Sequence, residues 1–168
     1  YIVHFNRQPG VADAVFANNT RQFLTNIYRT NQWHQPRPDL GPGMNMIVMA
    51  QDPRFADGMP GDLIMSDAEL QVFLDAFAES GFTGGLNWYR NFSRNWEIIG
   101  DYEQHIHQPT LMIYGEHDMV PQSPALKDHV SDLEVHVLPC GHWIQQEQPE
   151  ETNTIMLDWL QRHYPSHL

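Results

Sequence analysis

Residues 133–143 read LEVHVLPCGHW, a β-branched run that stops at Pro139, turns through Gly141 and sets His142 directly after the turn. Alternating aliphatic residues bounded by proline and glycine predict a strand ended by a tight turn. An imidazole there stands at the carboxyl end of a strand, the edge where open α/β sheets bind ligands and carry out chemistry. Upstream, TLMIY at 110–114 is apolar on both faces, as a central parallel strand is. SPALKDHV, at 123–130, supplies a crossover helix between the two strands. A last helix is expected from about Pro149 to His163, with Glu150 and Glu151 in its first turn and Arg162 in its last, the arrangement that the helix dipole favours. The order strand, helix, strand, helix makes the second half of the chain α/β.

Two parallel strands cannot cover both of their faces or satisfy their outer edges, and about four to six strands is the usual stable solution. This half therefore reads as one end of a larger, mostly parallel sheet whose other strands come from other polypeptide.

The first hundred residues read as mostly helical. From Val11 to about Arg29 an apolar stripe follows the Pro9-Gly10 turn and predicts one helix. Residues 31–65 carry Pro36, Pro38, Pro42, Pro53 and Pro60, too many breakers for a single regular element. SDAELQVFLDAFAESG, at 66–81, opens with the Ser66 and Glu69 of a capping box, and Leu70, Phe73, Leu74, Phe77 and Ala78 form its expected buried stripe before Gly81. NWYRNFSRNWEIIG, at 87–100, reads as another helix with Trp88, Tyr89, Phe92, Trp96 and Ile99 on one side. The chain divides into a helical part, 1–100, and an α/β part, 101–168.

Composition excludes several classes of function. The 168 residues are 41% hydrophobic and 18% charged, ordinary for a soluble globular protein. A net charge of -12 with a single lysine, Lys127, argues against nucleic acid and against attraction to an anionic membrane surface. No apolar run reaches bilayer length. The lone Cys140 excludes an internal disulfide.

GEHDMVP, at 115–121, ends the first strand as CGHW, at 140–143, ends the second, so Asp118 and His142 emerge on the same sheet edge. A carboxylate that accepts an imidazole N–H fixes the tautomer and stabilises the imidazolium formed when the ring takes a proton. Glu116 and His117 compete with Asp118, and strand alternation does not separate them. Asp118 also reads as a simple turn residue, and His142 is one of ten histidines. A metal site at Glu116, His117 and His142 lacks any paired-ligand spacing to support it.

GEHDMVP, CGHW and the final helix together resemble the closing section of α/β-hydrolase proteins. SGFTGGLNWYRN, at 80–91, resembles the cap of soluble epoxide hydrolases, and YIVHFNRQPGVADAVFANN, at 1–19, resembles the opening of that cap. The resemblance covers essentially the whole chain. It implies a helical cap over 1–100 and the C-terminal portion of an α/β-hydrolase core over 101–168, with the N-terminal half of the core outside this chain. His142 is implied as the base and Asp118 as its orienting acid. Tyr1 and Tyr89 are implied as the phenols that hydrogen-bond the epoxide oxygen, where a neutral donor is needed as an alkoxide develops. The family's aspartate nucleophile, carried on a sharp turn after an earlier strand, has no counterpart here.

The implied reaction converts a small apolar epoxide and water to a vicinal diol through an aspartyl ester, with no metal or organic cofactor. Trp88, Trp143 and Met44 are candidates to line the apolar substrate passage, although core packing is the ordinary role of such residues. A haloalkane dehalogenase shares the fold, the ester and the base but takes tryptophan or asparagine halide donors, and Tyr89 within NWYRN favours the epoxide. A serine esterase, and a noncatalytic fragment or binding module, are the remaining alternatives.

Overall fold

The structure, a computed structural model, describes residues 1–30 and 43–165. They form two compact units, one of residues 1–29 and 43–102, the other of Thr30 and residues 103–165.

The first unit is helical: α1 (Ile2–Arg7), α2 (Val11–Asn18), α3 (Thr20–Ile27), α4 (Met46–Met49), a 3-10 turn (Pro53–Phe55), α5 (Asp67–Ser80), α6 (Thr83–Arg90) and α7 (Phe92–Ile99). Phe5, Phe16, Leu24, Leu70 and Leu86 are buried at its centre. Phe16 stacks on Phe23 with ring centroids 4.0 Å apart, and Phe82 stacks on Phe77 at 4.3 Å. Such rings remove more apolar area from water than other side chains and dominate core energetics.

The capping box forms as expected. The Ser66 hydroxyl accepts the Glu69 amide at 3.3 Å, and the Glu69 carboxylate accepts the Ser66 amide at 2.7 Å. The helix ends at Gly81, whose φ of 64° a side chain would strain. Leu70, Phe73, Leu74 and Phe77 face the core, but Ala78 is exposed. At 3.6 residues per turn, Ala78 lies about 80° around the axis from Leu70, at the rim of the stripe.

Two expected helices are broken. The stripe over 11–29 divides at Asn19, whose φ of −133° leaves the helical region while its amide donates to the Val15 carbonyl at 2.8 Å. The stretch 87–100 begins earlier, at Thr83, and divides at Asn91, whose amide donates to the Asn87 carbonyl at 2.8 Å. At Asn19 the side chain takes up a carbonyl that a continued helix would have used, the backbone amide turning to Phe16 instead, whereas at Asn91 the backbone amide donates to the same Asn87 carbonyl, at 3.0 Å. The aromatic cluster expected on one side of 87–100 divides too: Tyr89 packs against the core, while Trp88 and Trp96 are 77% and 80% exposed. Pro36, Pro38 and Pro42 of the breaker-rich segment lie outside the described residues, and within 43–65 the only helices are α4 and the 3-10 turn.

The second unit holds β1 (Thr110–Gly115), α8 (Leu126–His129), β2 (Leu133–Leu138), α9 (Ile144–Glu147) and α10 (Pro149–His163). The strands pair in parallel from Thr110 opposite Leu133 to Gly115 opposite Leu138, and among the described residues the sheet has these two strands only. The crossover helix is a single turn. Pro124 biases Ser123 away from the helical region, and Val130 leaves it to pair with Ile106 in an isolated parallel bridge. α10 lies on one face of β1, where Met156, Trp159 and Leu160 share an apolar cleft with Leu111 and Ile113. Its last turn is tied to β2, with Arg162 donating to the Glu134 carboxylate at 2.8 Å. Among the described residues no helix is long and apolar enough to cross a membrane.

Candidate active site

In the α/β unit the geometry begins at Gly115, the last residue of β1. A Cβ there would stand 2.1 Å from the Gly141 carbonyl oxygen and 2.9 Å from that of Cys140, so only glycine lets the two strand-end loops approach. They then run side by side, with the Glu116 amide donating to the Leu138 carbonyl at 2.8 Å and the His117 amide to the Cys140 carbonyl at 3.0 Å. This brings Asp118 opposite His142, with Oδ1 2.9 Å from the imidazole Nδ1.

Asp118 Oδ1 also accepts the Val120 amide at 3.0 Å, an Asx turn that holds the carboxylate in place. Its side chain is 12% exposed and that of His142 is 39% exposed. Since an ionised carboxylate only accepts, Nδ1 carries the hydrogen of this bond and Nε2 keeps a lone pair. The pair can therefore take a proton at Nε2 and stabilise the cation that results. Glu116, the competitor, lies 3.8 Å from His117 Nε2. Among the described residues no group of three or more histidine, cysteine, aspartate or glutamate side chains is placed to hold a metal ion.

The turn carrying His142 is held from the other side by Glu147. Its Oε2 accepts the Gly141 amide at 3.0 Å and its Oε1 the Trp143 amide at 3.1 Å. The sequence reading missed this residue, and the available signal was weak: in HWIQQE an acid follows Trp143 by one helical turn. Trp143 is half-buried and meets the imidazole edge to face, with centroids 5.1 Å apart. Cys140 is buried, and burial, then the charges of Glu147 and Asp118, push its thiol up to about 11, so the thiol stays protonated and inert at neutral pH.

In the helical unit Tyr1 and Tyr89 are neighbours. Their rings meet at 80° with centroids 5.5 Å apart, and each stands 5.6 Å from the ring of Phe5. Partial burial, then the charge Tyr89 would carry, raises the pKa of Tyr1 and keeps it a neutral donor. Backbone ties fix the two helices. Asn6 donates to the carbonyls of Ile2 and Tyr89, each at 3.0 Å, and Arg90 Nε donates to the Phe5 carbonyl at 3.2 Å. Arg90 also forms a mostly buried ion pair with Asp13, which accepts from Thr83 at 2.7 Å as well. The Arg90 guanidinium, foremost, holds the Asp13 carboxyl at about 2. The sequence reading missed Asn6, Asp13 and Arg90, which act across 77 to 85 residues of chain and so leave no local pattern. Of the remaining candidates, Trp88 stands exposed on α6 and Met44 is half-buried just ahead of α4.

No family model matches the sequence. Epoxide hydrolase A of Mycobacterium tuberculosis is 34% identical over 175 residues, an alignment covering 95% of this chain and 51% of that protein. Bifunctional epoxide hydrolase 2 of Rattus norvegicus is 30% identical over 177 residues, covering 95% of this chain and 29% of that protein. Among solved structures, epoxide hydrolase A from Mycobacterium thermoresistibile superposes with a TM-score of 0.73 at 30% identity, over 96% of this chain and 51% of that one. An epoxide hydrolase from an endophytic Streptomyces gives 0.74 at 30% identity, over 95% of this chain and 51% of that one.

A helical cap and a small parallel sheet with these likenesses make the fold that of the α/β-hydrolases. Within that fold the chain belongs to the epoxide hydrolase family. It spans about half the length of the mycobacterial relative it matches, and less of the longer mammalian one.

Proposed function

We propose that the protein carrying this chain is an epoxide hydrolase that converts an apolar epoxide and water to a vicinal diol. The observation that carries the reading is the Asp118–His142 pair at 2.9 Å, a base with its acceptor nitrogen free at the end of parallel strands. The paired phenols of Tyr1 and Tyr89 agree with it, because an opening epoxide needs donors at its oxygen.

In the first step an aspartate from outside these 168 residues attacks a ring carbon. The carbon–oxygen bond breaks and Tyr1 and Tyr89 donate to the departing oxygen, one of them giving up its proton, so that the oxygen becomes a hydroxyl of a hydroxyalkyl ester and a phenolate remains. In the second, His142 Nε2 takes a proton from water, the resulting hydroxide adds to the ester carbonyl, and Asp118 stabilises the imidazolium. Collapse of the adduct expels the diol oxygen, which takes the proton from the imidazolium, and the carboxylic acid left behind returns its proton to the phenolate formed when the ring opened, so that carboxylate, imidazole and both tyrosines are restored. Neither step needs a metal or organic cofactor.

Residues 1–100 serve as the cap and 101–168 as the C-terminal part of the core in this reading. The remaining strands, the nucleophile and the oxyanion donors come from the rest of the protein. Support for that division comes from β1, which among the described residues has β2 on one side and no strand on the other. In this reading Trp143, packed against the imidazole, contributes to substrate binding, as do Trp88 and Met44 of the helical unit.

Replacing His142 with Gln in the complete enzyme tests the assignment. Ester formation is expected to survive while its hydrolysis stops, so that intact-protein mass spectrometry detects an adduct with the mass of the added epoxide. Undiminished steady-state turnover in that variant would sink the reading.

A further inference from the structure

We infer that Glu147 is a positioning residue for His142, an inference that rests on the epoxide hydrolase reading. The imidazole is held by one side-chain hydrogen bond, at Nδ1, and a ring fixed at one atom is free to pivot about it. What sets the direction of its Cα–Cβ bond is the backbone of residues 141–143, a loop after a strand rather than part of the sheet. One carboxylate accepts the amides on both sides of the histidine, at 3.0 Å from Gly141 and 3.1 Å from Trp143. Bonds from an amide to an ionised carboxylate are among the stronger hydrogen bonds of proteins, and two from one group constrain orientation as well as distance.

The support extends outward. Glu147 ends α9, whose first carbonyl, that of Ile144, accepts the hydroxyl of the buried Thr152 on α10 at 3.5 Å. Gln148 donates to the Pro139 carbonyl at 3.4 Å, closing the loop against its own beginning. The histidine is thereby gripped at its ring by Asp118 and at its backbone by Glu147. A base displaced by about 1 Å loses on the order of a hundredfold in rate. The carboxylate's task is therefore specific to the step His142 performs. Ester formation, which uses the nucleophile and the tyrosines, does not depend on it.

Glu147→Gln is the discriminating variant, since its amide offers one acceptor oxygen and turns an NH2 group toward the second N–H. In the complete enzyme, rapid-quench single turnovers with styrene oxide separate ester formation from ester hydrolysis. Hydrolysis is expected to slow by about 10- to 100-fold with ester formation changed by less than about twofold, so that the ester accumulates. Glu147→Asp, which keeps both acceptor oxygens, is expected to recover part of the loss. Hydrolysis at the parental rate in Glu147→Gln, or both steps falling alike, would overturn the inference, as would failure of both variants to fold. His142→Gln run alongside separates the two levels. If it traps ester while Glu147→Gln behaves as the parent, only the positioning role falls. If it traps none and turns over normally, the epoxide hydrolase reading falls.

Discussion

His142 and Asp118 are separated by 24 residues of chain and by 2.9 Å in space. The parallel register that sets Gly115 opposite Leu138 brings both strand ends to one level, and the paired loops beyond it carry the carboxylate to the imidazole. The carboxylate then decides which imidazole nitrogen is free.

Exchanging Asp118 for Asn is expected to leave the loop in place while offering Nδ1 a donor or an ill-placed acceptor. The ring then loses the tautomer that leaves Nε2 free. Ester hydrolysis in the complete enzyme should fall by about 10²- to 10⁴-fold, with ester formation kept. Single-turnover kinetics measure both, and an equal loss in both steps would assign Asp118 to folding instead.

Tyr89→Phe keeps the ring contacts with Tyr1, Phe5 and Phe92 and removes only the hydroxyl. Ring opening is expected to slow by about 10- to 1,000-fold, the effect of losing one oxyanion donor, and the double change with Tyr1→Phe should cost more. The melting temperature should hardly move. If instead the rate of opening stays and only stability drops, Tyr89 is a packing residue.

Gly115→Ala sets a methyl group 2.1 Å from the Gly141 carbonyl oxygen, which is backbone and cannot swing aside. The loop bearing His142 has to retreat, at a stability cost of about 1–3 kcal/mol. Denaturant titration should register the cost, and ester hydrolysis should slow with it. A variant as stable and as active as the parent would contradict the close approach of the two loops.

The Asp13–Arg90 pair carries a pH signature. The folded carboxyl titrates at about 2 rather than at its ordinary 3.8, because the Arg90 guanidinium holds its anion. A lowered folded value means that the contribution is complete above about pH 4 and disappears as pH falls toward 2. The stability difference between parent and Asp13→Asn, followed by denaturant unfolding across that range, should shrink with acidification. A difference independent of pH would show that the pair contributes nothing through charge.

Where a pattern is local, the sequence by itself determined the outcome. Ser66 and Glu69 form their box at the start of α5, and Pro149, with Glu150 and Glu151 behind it, opens α10. The apolar run TLMIY lies within β1. Caps, dipoles and runs of strand-forming residues act within a few positions, so the chain states them directly. Tertiary structure decided the rest. Asn19 and Asn91 sit in helical patterns yet interrupt them, and at Asn19 the side chain wins the Val15 carbonyl from the backbone, a competition that packing settles. Asp118 rather than Glu116 meets His142 because the Glu116 and His117 amides bond across to the neighbouring loop and turn the third residue inward. Arg90 finds Asp13 across 77 residues. Such choices rest on contacts between segments distant in the chain, and distance along the chain carries no record of them until the chain folds.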